Sequence, residues 1–519
     1  MTSTPPALRP PRRARAALVV LVAACACTLP ASALSRPPRA RALAQRAQPR
    51  PYPLLQQGPK LTAPDEPGEA LFGASVALSA DGDTALVGAP LAGGGAGAAY
   101  LYTRSGSSWT QQAKLTATGE QGAGELGSSV ALSGDGHTAL LGAPLASGGA
   151  GAAYLFARSG PGWTQQATLT ATGEQGSGQF GSSVALSGDG STALVGARFD
   201  AQRAGAAYLY TRSGSGWAQR AALTATGEQG AGELGSSAAL SGDGQAALLG
   251  APFDDNGAGA VYAFAPTGSG WSQQGARLTG AGERGPGRLG SSVALSAGGA
   301  VALAGAEADG ENAGAAWAFS SDHGHWQQPG QELASPAGGS KAFFGYSVAL
   351  DANARLALIG GHDYDDVGAV WVLERPHTGW KLARERLAGG QEQGYGAFGS
   401  GVALSAAGET ALVGGQGDDQ FKGAAWVFAQ APAPLVTHLH PRHGPRSGGT
   451  RVRIKGRDLL GASAVSFGSR AAASFTVESG GLIVAVAPPA PAGAVNVTVT
   501  TPYGTSAVSS ADRFAYARR

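Results

Sequence analysis

The chain has 519 residues, 43% hydrophobic and only 14% charged, with a formal net charge of +2 and 84 glycines. Glycine at about 16% is roughly twice the usual share. Together with 30 prolines and no G-X-Y period, it excludes a helix-rich enzyme, a coiled coil and collagen, and two cysteines exclude a disulfide-stapled mini-protein.

At the N-terminus, Arg9, Arg12, Arg13 and Arg15 precede an apolar run from Ala16 to Cys27, and Ala31-Ser32-Ala33 supplies the small residues of a cleavage site. Residues 1–33 therefore read as a secretory signal peptide, too short in its apolar part for a spanning helix of about 20 residues. Val22-Ala23-Ala24-Cys25 resembles a lipobox, so the alternative to free secretion is a lipid anchor at Cys25, the one membrane contact expected. Cleavage after Ala33 removes both cysteines, and thiol catalysis and Cys-ligated zinc with them. Residues 34–51, rich in Arg, Pro and Ala, read as a disordered spacer. Charge is unevenly spread: residues 435–519 hold ten Lys and Arg against three acids, whereas residues 51–434 carry a net charge of −14. Such an acidic body repels nucleic acid and favours cations or basic partners.

Self-similarity dominates residues 52–434. Copies begin at Phe72, Leu126, Phe180, Leu234, Leu289, Phe344 and Phe398, spaced 54 or 55 residues apart. Each reads approximately as F/L-G-S-S-V-A-L-S, a D-G turn, T-A-L-V-G-A-P, a Gly-rich loop, G-A-A-Y-L-Y, an S-G turn and W-T-Q-Q-A-K-L-T-A. Four short runs bounded by turn residues predict four strands per copy. The fourth alternates, with Trp109, Gln111, Ala113 and Leu115 on one face, as a half-solvated strand does. The first consists mostly of small residues, which suits crowding around a central axis. Aromatic columns at Tyr100, Tyr154, Tyr208, Tyr262, Trp317, Trp371 and Trp426, and at Trp109, Trp163, Trp217, Trp271, Trp326 and Trp380, read as wedges between sheets. The pattern predicts an all-β, seven-bladed β-propeller of four-stranded blades. The seventh copy lacks its fourth run, but Gln56-Gln57-Gly58-Pro59-Lys60-Leu61-Thr62 matches Gln273-Gln274-Gly275-Ala276-Arg277-Leu278-Thr279. The N-terminal strand is therefore expected to close the last blade and remove the free edges.

Phe72-Gly73, Phe180-Gly181, Phe344-Gly345 and Phe398-Gly399, with Gly88-Ala89-Pro90, Gly142-Ala143-Pro144 and Gly250-Ala251-Pro252, resemble the FG-GAP repeat of integrin-alpha-type propellers and their secreted bacterial relatives. That resemblance implies a calcium loop between the first two strands of many blades. Here Asp81, Asp135, Asp189 and Asp243 are the carboxylates that remain, one per loop, where calcium takes six to eight oxygens. These Asp-Gly pairs read as hairpin turns, the calcium loops as degenerate, and no cofactor is predicted.

The loops between second and third strands carry Asp200, Asp254, Asp309, Asp363 and Asp418. They open on the same face as the interblade connections bearing Glu120, Glu125, Glu174, Glu228, Glu233 and Glu283, so an acidic ligand-binding face is expected. Its densest part, Asp363, Asp365 and Asp366 with Asp418 and Asp419, is the candidate cation site. His323, His325, His362, Tyr364 and Tyr395 break the repeat, but His323 and His325 fall on the face opposite His362. No nucleophile elbow, HExxH or P-loop is present, so no catalytic residue is assigned.

From Val436 a new pattern runs through Gly448-Gly449-Thr450, the alternating Arg451-Val452-Arg453-Ile454, Ala487-Pro488-Pro489 and Asp512-Arg513-Phe514. Short strands at close turn spacing suggest an immunoglobulin-like β-sandwich over residues 435–519. The segment resembles the IPT/TIG family, which implies a binding or spacer module. His438, His440 and His443 read as linker and strand residues rather than metal ligands. Arg442, Arg446, Arg451, Arg453, Lys455 and Arg457 form a basic patch. Together these features point to a monomeric, exported protein that binds an extracellular protein or glycan. The alternatives are a structural spacer of the cell envelope and a carbohydrate-active propeller enzyme.

Overall fold

Runs of Ala, Val and Leu cut by Gly, Ser and Asp turns are too short to do anything but pair with their neighbours. In the computed structural model they do so throughout residues 54–517, which are described apart from 120–121, 215, 269, 323, 328–329, 335–340, 377–378, 431–432 and 502. The expected signal peptide and spacer, with Cys25, and Glu120 and His323 lie outside the described residues.

Each copy folds into one antiparallel sheet, typified in blade one by Val76–Leu78, Thr84–Ala89, Ala98–Ser105 and Ser108–Leu115 in that order. Seven such sheets are present among the described residues. The second strand is buried along nearly its whole length, as an element covered on both faces must be, and the fourth alternates between half-buried and exposed. In the last blade Leu54–Gln56 pairs with Phe428–Gln430, and Leu61 bridges Ala425, so the N-terminal strand supplies the missing outer strand as expected.

Backbone hydrogen bonds tie the blades into a ring. At the hairpin between first and second strands, the N–H of Ala80 donates to the carbonyl of Gly134 (2.8 Å), Gly134 to Gly188, Gly188 to Gly242, Gly242 to Ala297, Ala297 to Ala352, Ala352 to Ala406, and Ala406 back to Ala80 (2.9 Å). The circuit closes on itself, and each bond contributes about 0.5–1.5 kcal/mol net. Only Ala or Gly occupies these seven positions.

The F/L-G and G-A motifs hold the opposite end of the inner strands. The Phe or Leu is at most 1% exposed in every copy, and the following Gly has φ between +88° and +96°, a conformation that excludes side chains. Its carbonyl lies against the Gly of the preceding blade's G-A pair, where a Cβ on Gly88 would sit 2.1 Å from the oxygen of Gly127. The hydroxyl of Ser75 donates to that same oxygen at 2.7 Å, and Ser129, Ser183, Ser237, Ser292 and Ser347 repeat the bond. In blade seven Gly401 takes the serine's place, and Ser400 reaches Gly73 at 3.3 Å instead.

The inner aromatic column is buried as predicted, at 0–4% exposure, and several members meet the motif Phe edge-on, as Phe398 and Trp426 do at 5.3 Å. The outer Trp column differs. Apart from Trp380 at 7%, its described members stay half-buried, because the outermost strand has solvent on one side.

Residues 435–516 form two further sheets. One orders Leu435–His440, Arg451–Arg457, Leu482–Val486 and Ser474–Ser479, and the other centres on Gly493–Thr501 between Ala464–Phe467 and Arg513–Tyr516. Val452, Ile454, Phe467, Ile483, Val497 and Phe514 fill the space between them, the two Phe rings edge-on at 5.3 Å. This is the sandwich expected.

Candidate functional site

The loop aspartates were expected to face a ligand, but the structure turns most of them inward. Asp200, Asp254, Asp309 and Asp418 are 0–4% exposed. Each opens a tight turn whose following residues are left-handed, such as Ala201 (φ 49°) and Gln202 (φ 63°). One oxygen of each carboxylate accepts the backbone N–H of the connection entering its blade: Gln175, Gln229 and Gln393 at 2.7 Å and Arg284 at 2.5 Å. The second oxygen accepts the hydroxyl of the column tyrosine in two blades, Tyr208 to Asp200 (2.5 Å) and Tyr262 to Asp254 (2.6 Å). In blade seven the column residue is Trp426, which donates to the carbonyl of Gly390, and Lys60 from the closing strand pairs with Asp418. In blade five Trp317 likewise donates to Ala281, and the second oxygen of Asp309 is left with Arg284 at 3.6 Å. These carboxylates brace loop to connection because a buried anion must be hydrogen-bonded or paired.

The candidate cation site is not assembled. Asp418 is engaged as described, Asp419 pairs with Lys422 (3.0 Å), and Asp365 faces Arg386 (3.7 Å). Asp363 accepts from Tyr395, and Asp366 is exposed. Among the described residues no three His, Cys, Asp or Glu side chains are grouped as metal ligands would be. In the hairpins, Asp81 accepts from Ser79 (2.5 Å) and from the N–H of Asp83 (2.9 Å), which is turn chemistry. Burial pushes Glu228 and Glu392 up to about 7 and Glu283 to about 8, with the neighbouring Asp254, Asp418 and Asp309 adding repulsion.

Blade one has Ala92 in place of the aspartate, and Glu66 from the connection accepts the Tyr100 hydroxyl instead, at 3.3 Å. The space left is a cavity of about 160 Å³ lined by Glu66, Lys114 and small residues, below the usual size of a ligand pocket.

The repeat breaks most where the two innermost strands reach the connection face. The residue after the Gly-Ala or Gly-Gly pair is Pro in blades one, two and four but Arg198, Glu307, His362 and Gln416 in blades three, five, six and seven. Tyr346 stands where the neighbouring blades have Ser. Its ring packs on His362 at 4.0 Å, and Phe343 covers the imidazole at 5.1 Å. Tyr346 also hydrogen-bonds Gln416, and burial with the charge of Glu307 raises its phenol. Burial lowers His362, whose Nδ1 is shielded and without a hydrogen-bond partner. Burial raises Glu307, with Arg288 at 3.4 Å partly offsetting it. Of this cluster only His362 was singled out from the sequence. The signal for the rest was the exchange of Pro and Ser for larger polar residues at fixed repeat positions.

This architecture matches two families of domain, and FG-GAP and IPT/TIG domains suggest a binding or adhesion module. Residues 56–102, 109–156, 163–210 and 217–264 each match the FG-GAP repeat, and residues 434–516 match the IPT/TIG domain. The chain thus carries four FG-GAP repeats and one IPT/TIG domain. No curated protein matches it. Among solved structures, the crystal structure of RRP9 WD40 repeats aligns over 73% of this chain and 97% of that one, with a TM-score of 0.45 and 11% identity, too loose a likeness to bear on function.

Proposed function

We propose that this protein is an exported binding module without catalytic activity, free or anchored at Cys25, whose propeller takes an extracellular glycan at the connection-face end of blades five to seven. The observation that carries the reading is the cluster of Glu307, Tyr346, His362 and Gln416, which replaces Pro and Ser of the regular repeat. Aromatic faces beside a carboxylate and an amide suit a sugar, which presents apolar C–H faces and hydroxyls together. The signal peptide read from residues 1–33 supports the location.

The test restores the repeat. Tyr346→Ser and His362→Pro each install the residue that other blades carry at that position, so the ring should survive. A glycan screen with the full chain, followed by titration of the best ligand, should show binding at least about tenfold weaker in both variants, the loss of one or two good contacts. Unchanged affinity in correctly folded variants would remove the site from these residues.

A further inference from the structure

The sandwich carries a second, chemically different surface. Along Arg451–Arg457 the side chains alternate, with Val452 and Ile454 fully buried and Arg451, Arg453 and Lys455 exposed on the outer face. The neighbouring strand sets His440 opposite Arg453 and His438 opposite Lys455, and both histidines are exposed. On the other side Val486, Val484 and Leu482 lie opposite Arg451, Arg453 and Lys455, an apolar floor for their stems. Glu478 is two strands away, on Ser474–Ser479. None of the three cations has an ion-pair partner among the described residues. Cations at alternate positions along one strand repel one another, so the fold gains nothing from this arrangement.

We infer that this face binds a linear acidic polysaccharide laid along the Arg451–Arg457 strand. The three cations stand in single file about 6.7 Å apart, spanning about 13 Å, which suits an extended chain bearing regular carboxylates or sulfates. Two features set other polyanions aside. The sheet is about 14 Å across, wider than the roughly 12 Å major groove of duplex DNA, and no Phe, Tyr or Trp points outward among its described residues to stack a base. The apolar residues of the face form its floor rather than protruding, so nothing there would insert into a bilayer. The inference stands on the sandwich alone and is independent of the propeller site.

The test uses the full chain with polygalacturonate and heparin as carboxylated and sulfated probes. The variant Arg451→Thr/Arg453→Thr/Lys455→Thr is compared with Arg442→Thr/Arg470→Thr/Arg513→Thr, which removes the same charge from exposed positions off this face. The first should weaken binding to at least one probe by about tenfold or more, and the second by less than about twofold. The single Arg453→Thr, with a smaller demand on folding, should weaken it about threefold. Equal losses in the two triple variants would reduce the effect to net charge and overturn the inference. Tighter binding to phosphatidylglycerol vesicles or duplex DNA than to either polysaccharide would overturn it as well.

Discussion

Blades one to four and blades five to seven differ in sequence far more than in backbone. The FG-GAP matches end at residue 264, yet the later blades repeat the same ring of hydrogen bonds and the same positive φ after the motif Phe or Leu, and blades five and six keep the same serine bond to the next blade. What changes is side-chain chemistry: Trp for Tyr in the inner column, and Glu307, His362 and Gln416 for proline. A ring of this kind constrains backbone approach at a few glycines and small residues. The side chains at the ends of the inner strands are left free to vary, which is where a binding site can be built without weakening the ring.

The largest effect should come from breaking that approach in either half. A Cβ on Gly142 would sit 2.0 Å from the oxygen of Gly181, and one on Gly305 would sit 1.9 Å from that of Gly345. Backbone faces backbone in both cases, so neither can yield cheaply. Gly142→Ala and Gly305→Ala should each cost about 3 kcal/mol or more in urea unfolding. A mild effect at Gly305 alone would show that the divergent half tolerates a looser ring.

A smaller effect separates two ways of holding the same buried aspartate. Asp200 relies on a tyrosine hydroxyl, Asp418 on a lysine from the closing strand. Lys60→Met leaves a carboxylate that is 1% exposed without its counter-charge and should cost about 3 kcal/mol. Tyr208→Phe removes one hydrogen bond and should cost about 1–2 kcal/mol. Adding Asp418→Asn should recover part of the Lys60→Met loss, because it removes the charge left unpaired. Equal costs at the two sites would mean that the ion pair contributes no more than a neutral donor.

The repeat period, the strand count per blade and the closing strand were legible in the sequence because each rests on local alternation, turn chemistry or a match such as Gln56–Thr62 with Gln273–Thr279. The sandwich was legible for the same reason, in the alternation of Arg451 to Ile454. The direction of the loop aspartates was not. An Asp eight residues before a column Tyr looks solvent-facing in one dimension. Only the folded ring brings the N–H of Gln175 or Gln229, 25 residues upstream, onto its oxygen. The Ala80 to Ala406 circuit was hidden for a similar reason, since a run of small residues signals crowding but not a hydrogen bond to the next blade. Tyr346 and His362 meet across 16 residues, and position within the repeat is the only linear trace of that contact.

The smallest effect is in pH, and it too divides the halves. Glu228, Glu283 and Glu392 hold their protons to about 7, 8 and 7, against an ordinary 4.5. A carboxyl raised in the native state binds protons that the unfolded chain has released, so its contribution is full below 4.5 and is lost as pH rises through 7 to 8. Asp135 and Asp189 are lowered from 3.8, so their contributions fade only in acid, and His362, lowered from 6.5, acts only below that value. Between pH 9 and pH 7 the glutamates therefore set the slope, and the melting midpoint should rise by about 1–3 °C on acidification. Glu283→Gln should flatten this slope more than Glu228→Gln, because the facing Asp309 lacks the tyrosine donor that Asp254 has in Tyr262. A slope unchanged by Glu283→Gln would mean that water reaches the blade-five connection and that its carboxyl pair is not held apart from solvent.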